Sequence, residues 1–180
     1  NGRPLALPWA AERIPAIVEA WQLGSQAGHA IAQALYGDHN PEGRLPMTFP
    51  RNVGQVPIHY DHFSTGRPTP PNDIFWTHYI DAPNTPLYPF GYGLSYTTFA
   101  YDGLSAEASE AGIDVKVALK NTGERSGSEV VQLYIHDVAA SVARPEKELK
   151  GFEKVKLQAG ESREVTFRLT EKELGFYLPD

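Results

Sequence analysis

Apolar and polar positions alternate through most of the second half of the chain. Ile113, Val115, Val117 and Leu119 are separated by Asp114, Lys116 and Ala118, and Asn121-Thr122-Gly123 then supplies a turn. Val131, Leu133 and Ile135 alternate with Val130, Gln132 and Tyr134, while Leu149, Phe152, Val155 and Leu157 follow less regularly. After a turn at Gln158-Ala159-Gly160-Glu161, Val165, Phe167 and Leu169 alternate with Glu164, Thr166 and Arg168. Short strands at this spacing predict an all-β sandwich, with the charged positions on its solvated faces. The charged loop Arg144-Pro145-Glu146-Lys147-Glu148 reads as surface.

The first half has a different grammar. Leu5-Ala6-Leu7 and the longer run Ala16 to Trp21 are apolar stretches bounded by proline or glycine, which predicts buried strands of a mostly parallel sheet. Ala27, Ala30, Ile31, Ala34 and Leu35 fall at helical spacing, with Ser25 a candidate N-cap and Gly37 a candidate C-cap. A turn at Asn40-Pro41-Glu42-Gly43 leads into an extended run, Leu45 to Phe49. The sum is a βαβ-like unit, too small to be a whole α/β domain. The turn Gln22 to Gly28 sits where such a sheet places functional groups, but its glycine spacing fits no nucleotide fingerprint, and it reads first as structural.

Residues 51–86 show no periodicity, are rich in proline and carry His59, Tyr60, Asp61, His62, Phe63, Phe75, Trp76, His78 and Tyr79. Flexible linkers are depleted in aromatics, so a long irregular segment of this kind points to function. Phe75, Trp76 and Tyr79 are the candidate substrate-binding residues, since an exposed aromatic face can stack on a pyranose ring. Packing against the protein's own body is the commoner fate. His59 and His62 read as ordinary loop histidines, because a metal site needs further ligands and no helix is expected beside Pro57.

The stretch Pro86 to Phe99 then carries five aromatics and two glycines, and reads as a hinge near residue 90. Composition shifts across it. Thirteen of the 15 prolines lie before residue 91, and every lysine lies after residue 115. Two domains are therefore expected, α/β followed by all-β. A net charge of −6 without a basic patch argues against nucleic acid or an anionic membrane as partner, and no apolar run is long enough to span a bilayer. The chain has no cysteine, which excludes a thiol nucleophile and leaves the redox compartment open. It begins Asn1-Gly2-Arg3-Pro4, in mid-pattern and without methionine, as a piece of a longer polypeptide would.

The run PLYPFGYGLSYTTF resembles the entry into the last domain of glycoside hydrolase family 3, the family of β-glucosidases and β-xylosidases. GDHNPEGRLPMTFPRNVGQVPIHY is similar to the same family's second domain just before that entry. KNTGERSGSEVVQLYIHD and PEKELKGFEKVKLQAGESREVTFRLT resemble strands of its fibronectin type III-like sandwich. The resemblance implies an organisation in which residues 1–60 end an α/β sandwich domain, 61–90 form an aromatic, proline-rich linking loop, and 91–180 form a fibronectin type III-like sandwich without its last strand. It also implies the carboxyl-terminal portion of a retaining β-glucosidase of the periplasmic or secreted bacterial type. Such an enzyme acts on terminal β-glucosyl residues without a cofactor, and β-xylosidase specificity is the near alternative.

Cleavage by a retaining glycosidase needs two carboxyl groups about 5–5.5 Å apart. The resemblance places the nucleophilic Asp in an amino-terminal barrel and the acid/base Glu upstream of Asn1, so no catalytic residue is assigned. Glu12, Glu19, Asp38, Glu42, Asp61, Asp73 and Asp81 are the local carboxylates, and none lies in a motif that implies a pair. Two further readings stay open. The chain could be a non-catalytic sugar-binding module built on Phe75, Trp76 and Tyr79, or its long loop could cross to a partner subunit of a homodimer and line that subunit's active-site rim.

Overall fold

The computed structural model describes residues 1–64 and 77–177. The chain divides into two compact units: residues 1–32, 44–92 and 136–147 form the first, and residues 33–43, 93–135 and 148–180 form the second. One division falls between Tyr92 and Gly93, inside the aromatic, glycine-bearing stretch.

In the first unit, helix α1 spans Pro8–Arg13 and helix α2 spans Ala27–Tyr36, running on into the second unit. Helix α2 follows the predicted spacing, and Gly37, at φ 80°, ends it in the left-handed region that glycine enters without penalty. Two expectations fail. Leu5–Leu7 is no strand but the lead-in to α1, where Pro8 at the first position has its φ already set for a helix and the Leu7 carbonyl accepts the Ala11 N–H at 2.9 Å. Ala16–Trp21 also carries no strand, because a strand exists by its ladder and no described residue offers one. Ile17 and Val18 are 42% and 51% exposed.

Leu45–Phe49 does find a partner. The Leu45 N–H donates to the Tyr92 carbonyl at 2.8 Å and the Gly91 N–H donates to the Leu45 carbonyl at 2.7 Å. Phe49 bridges Tyr88 in antiparallel fashion and is 2% exposed. A row of rings follows from this pairing. Trp21 lies 5.9 Å from Phe49, Phe49 lies 6.4 Å from Tyr88, and Tyr88 stacks on Tyr92 at 5.4 Å.

The second unit holds five strands. β1 (Phe99–Ser109), β2 (Gly112–Asn121) and β5 (Ser162–Leu169) form one antiparallel sheet in the order β1-β2-β5, and β3 (Gly127–Ile135) pairs with β4 (Glu148–Leu157) in a second. The period-two positions become the shared core, in which Leu119 and Val165 from one sheet meet Val131, Val155 and Leu157 from the other. Each such side chain contributes about 1.5–3 kcal/mol by leaving water. The predicted turns sit at the ends of these strands, and Gly160 takes a positive φ of 77°. A short helix α3 (Glu171–Leu174) follows β5, closed by a capping box in which Thr170 and Glu173 satisfy each other's backbone N–H groups.

Candidate functional site

The irregular segment is fixed at both of its described ends, and both lie in the first unit. Within the segment, Gln55 is the fastener, 1% exposed. Its Oε1 accepts the Arg51 N–H at 2.6 Å and its Nε2 donates to the Pro83 carbonyl at 2.9 Å. Arg51 Nε donates to the Thr85 carbonyl at 2.9 Å, so two side chains grip residues 83–85. Asn84 closes the turn before them, its Oδ1 accepting the Tyr79 N–H at 3.1 Å and its Nδ2 donating to the Thr77 carbonyl at 2.9 Å. At the other end, the His62 carbonyl accepts the Glu146 N–H at 2.9 Å and Phe63 bridges Pro145. Tyr60 stacks on Phe90 with centroids 4.3 Å apart.

This scaffold presents Tyr79, 41% exposed, on a backbone held by hydrogen bonds. Phe75 and Trp76 lie outside the described residues, as does Asp73. His62 Nδ1 stands 3.3 Å from the Phe63 carbonyl oxygen. Among the described residues no group of three or more histidines or carboxylates comes together as a metal site.

A second feature of the first unit is backbone strain. Trp21 has φ 49°, the sole non-glycine residue at positive φ among those described. A bulky residue there costs on the order of 1–3 kcal/mol and persists only where its surroundings impose it. Glu19 and Asn1 hold it: Glu19 Oε1 accepts the Trp21 N–H at 2.8 Å, Glu19 Oε2 accepts from Asn1 Nδ2 at 2.9 Å, and the Asn1 nitrogen donates to the Trp21 carbonyl at 3.2 Å. The Glu19 carboxylate is thus engaged by hydrogen bonds through both of its oxygens.

In the second unit a polar cleft of about 340 Å³ is lined by residues from 37–42, 125–127 and Lys156. Asn40 organises it, its Oδ1 accepting from Ser95 Oγ and the Tyr96 N–H while its Nδ2 donates to the Ser126 carbonyl. Glu42 accepts from Ser128 Oγ at 2.9 Å and meets Lys154 Nζ at 2.6 Å. Burial opposes ionisation of Glu42, but the hydrogen bonds from Lys154 and Ser128, with the charges of Lys154 and His39, outweigh it and hold its carboxyl below the ordinary value. A general acid needs the opposite shift. Glu42 is a structural anion.

Asn84 lies in no motif, and Asn40 and Gln55 fall inside the family-like run of residues 37–60 without being singled out there for what their side chains hold. The one signal was the Asn40-Pro41 turn, which marks a bend without showing what the Asn side chain reaches.

Residues 1–96 match the sequence pattern of the glycosyl hydrolase family 3 C-terminal domain, and residues 129–180 match that of the fibronectin type III-like domain. A periplasmic beta-glucosidase of Salmonella typhimurium is 47% identical over 98% of this chain, and a beta-xylosidase of Formosa agariphila is 44% identical over all of it. The beta-glucosidase of Listeria innocua, solved in complex with isofagomine, superposes with a TM-score of 0.92 at 46% identity over 99% of this chain. The chain spans 24%, 25% and 26% of these three proteins' lengths, so it corresponds to about a quarter of each. It belongs to glycosyl hydrolase family 3, of which it carries the C-terminal domain followed by a fibronectin type III-like domain.

Proposed function

We propose that this chain is the carboxyl-terminal portion of a retaining β-glucosidase, periplasmic or secreted, that removes terminal β-D-glucosyl residues from cello-oligosaccharides and aryl glucosides. Residues 1–60 complete the domain that carries the acid/base Glu, residues 61–90 form a linking loop, and residues 91–180 brace that domain. The observation that carries this reading is the near-complete cover of the chain by a 47% identical beta-glucosidase. The absence of any assigned carboxylate pair fits it, since the nucleophile and acid/base then lie in the upstream portion.

The test is hydrolysis of an aryl β-glucoside by the 180-residue chain alone, and by the chain mixed with an upstream fragment bearing the barrel and acid/base segment. Turnover in the mixture alone supports the reading; turnover by the isolated chain overturns it. A parallel assay on an aryl β-xyloside separates the β-xylosidase alternative, which the Formosa agariphila relative favours.

The anchored backbone of Tyr79 supports reading Phe75, Trp76 and Tyr79 as sugar-stacking residues, and we further propose that their loop lines the rim of a partner subunit's active site in a homodimer. Two hydrogen-bonded grips on residues 77–85 are more than a passive linker requires. Replacing the three aromatics by alanine should lower kcat/KM on cello-oligosaccharides on the order of tenfold relative to the aryl glucoside, the loss of a contact worth ~1.4 kcal/mol. Unchanged relative kinetics, or a monomer by sedimentation, would remove the cross-subunit reading.

A further inference from the structure

The turn that follows residue 18 is built around one carboxylate. Trp21 stands at φ 49°, and the Glu19 side chain, only 15% exposed, accepts its N–H at 2.8 Å. The second carboxylate oxygen is engaged by Asn1 Nδ2, which fixes the orientation of the group. The indole meets Phe49 at 5.9 Å with the planes tilted by 58°, and Phe49 is tied through its backbone to Tyr88. The direction of the Trp21 side chain, and the path of the residues after it, therefore depend on a backbone conformation that the Glu19 carboxylate holds at the Trp21 N–H, while the Asn1 nitrogen donates to the Trp21 carbonyl at 3.2 Å. Strain of this kind gathers at functional sites, where a defined geometry is used rather than merely tolerated.

We propose that Glu19 is a positioning residue of the hydrolase. It moves no proton; its carboxylate clamps the left-handed Trp21 backbone and so directs the indole and the Gln22–Gln26 turn into the geometry on which productive sugar binding depends. This rests on the glucosidase reading above. Three features distinguish a clamp from a generic packing role. Removing the acceptor should matter, keeping a neutral acceptor of the same shape should not, and the requirement should vanish where the backbone needs no clamp, since glycine enters positive φ freely.

The experiment is a double-mutant cycle in the full-length enzyme, with active sites titrated and Tm recorded for each variant. Glu19→Ala should lower kcat/KM for an aryl β-glucoside by about ten- to a hundredfold per titrated site, the scale of a small misplacement of binding groups. Glu19→Gln, whose amide oxygen can still accept the Trp21 N–H, should stay within about threefold of wild type. In a Trp21→Gly background, itself impaired by loss of the ring, adding Glu19→Ala should change kcat/KM by less than about twofold. A Glu12→Gln variant, altered at an exposed residue away from the turn, serves as the neutral control. Wild-type kinetics per titrated site in Glu19→Ala, or a full Glu19→Ala loss persisting in the Trp21→Gly background, would overturn the clamp. A lowered Tm with unchanged kcat and KM would reduce Glu19 to a packing role and overturn it as well. A wild-type enzyme without glucosidase turnover would instead overturn the parent reading, and this one with it.

Discussion

Asn121 gathers four partners of the second unit onto one buried side chain. Its Nδ2 donates to the Arg125 carbonyl at 2.7 Å and the Leu157 carbonyl at 3.3 Å, and its Oδ1 accepts from Thr97 Oγ1 and the Gly123 N–H. It is wholly buried. Asn121→Ala leaves these groups without a partner away from water, which should cost about 2–4 kcal/mol in urea unfolding. Asn121→Asp should be no milder, because it replaces the donor with a second acceptor facing two carbonyl oxygens. Glu42 gives a pH-dependent counterpart. Its folded-state pKa is lowered despite the opposing effect of burial, so its contribution is present above the ordinary Glu value of about 4.3 and is lost as pH falls through the lower folded value. Wild type should exceed Glu42→Gln by up to about 1 kcal/mol at neutral pH, limited because Lys154 is half exposed. That gap should close in the acid limb of a denaturation series. A gap constant down to strongly acidic pH would mean that the Lys154 ion pair contributes nothing. Sequence reading singled out neither residue for such a role, since partners as distant as Leu157 from Asn121 or Ser128 from Glu42 leave no local signature.

Among the elements, what the sequence reveals depends on how each strand is stabilised. β2 and β5 show period two because one face is buried and the other wetter, β4 shows the same pattern less regularly, and β3 alternates in sequence although none of its residues is fully exposed. β1 escaped notice for a physical reason. Beyond Phe99 all its residues are exposed, and its pairing with β2 shifts register between Asp102 and Ser105, where Gly103 takes φ 62°. An exposed, bulged edge strand has no alternation to read. α1 was hidden by Leu5–Leu7, an apolar run whose strand-like look gives way to the proline that starts a helix. The two sheets also need a residue without a side chain where they approach. A Cβ on Gly151 of β4 would stand 2.8 Å from a ring carbon of Phe167 on β5. Gly151→Ala should therefore cost about 1–3 kcal/mol through overpacking, read as a lowered denaturation midpoint. Gly43→Ala, where no atom stands within 4 Å of the added carbon, is the matched control.

At the scale of the whole chain, the part least explained by its own contacts is the run Ala16–Trp21. Its composition asks for a buried strand, yet among the described residues it has no ladder, and Ile17 and Val18 are about half exposed. Buried parallel strands are apolar on both faces because neighbours cover both, and this chain corresponds to about a quarter of the relatives it matches. Candidate site residues were legible to the same partial degree. Aromatic content marked residues 51–86, but the grips that hold Tyr79 came from Gln55, Arg51 and Asn84, whose roles depend on the fold. Hydrogen exchange can test the strand reading directly. Amides of β2 and β5 around Leu119 and Val165 should exchange slowest in the 180-residue chain, while those of Ile17 and Val18 should exchange near the unprotected rate. Mixing with the upstream fragment should slow Ile17 and Val18 by orders of magnitude, because a strand then gains its neighbours. If they are already protected in the chain alone, the run has an internal partner. If they stay unprotected in an active mixture, residues 1–60 do not complete the α/β sheet through this run, and the apolar pattern there serves packing without a ladder.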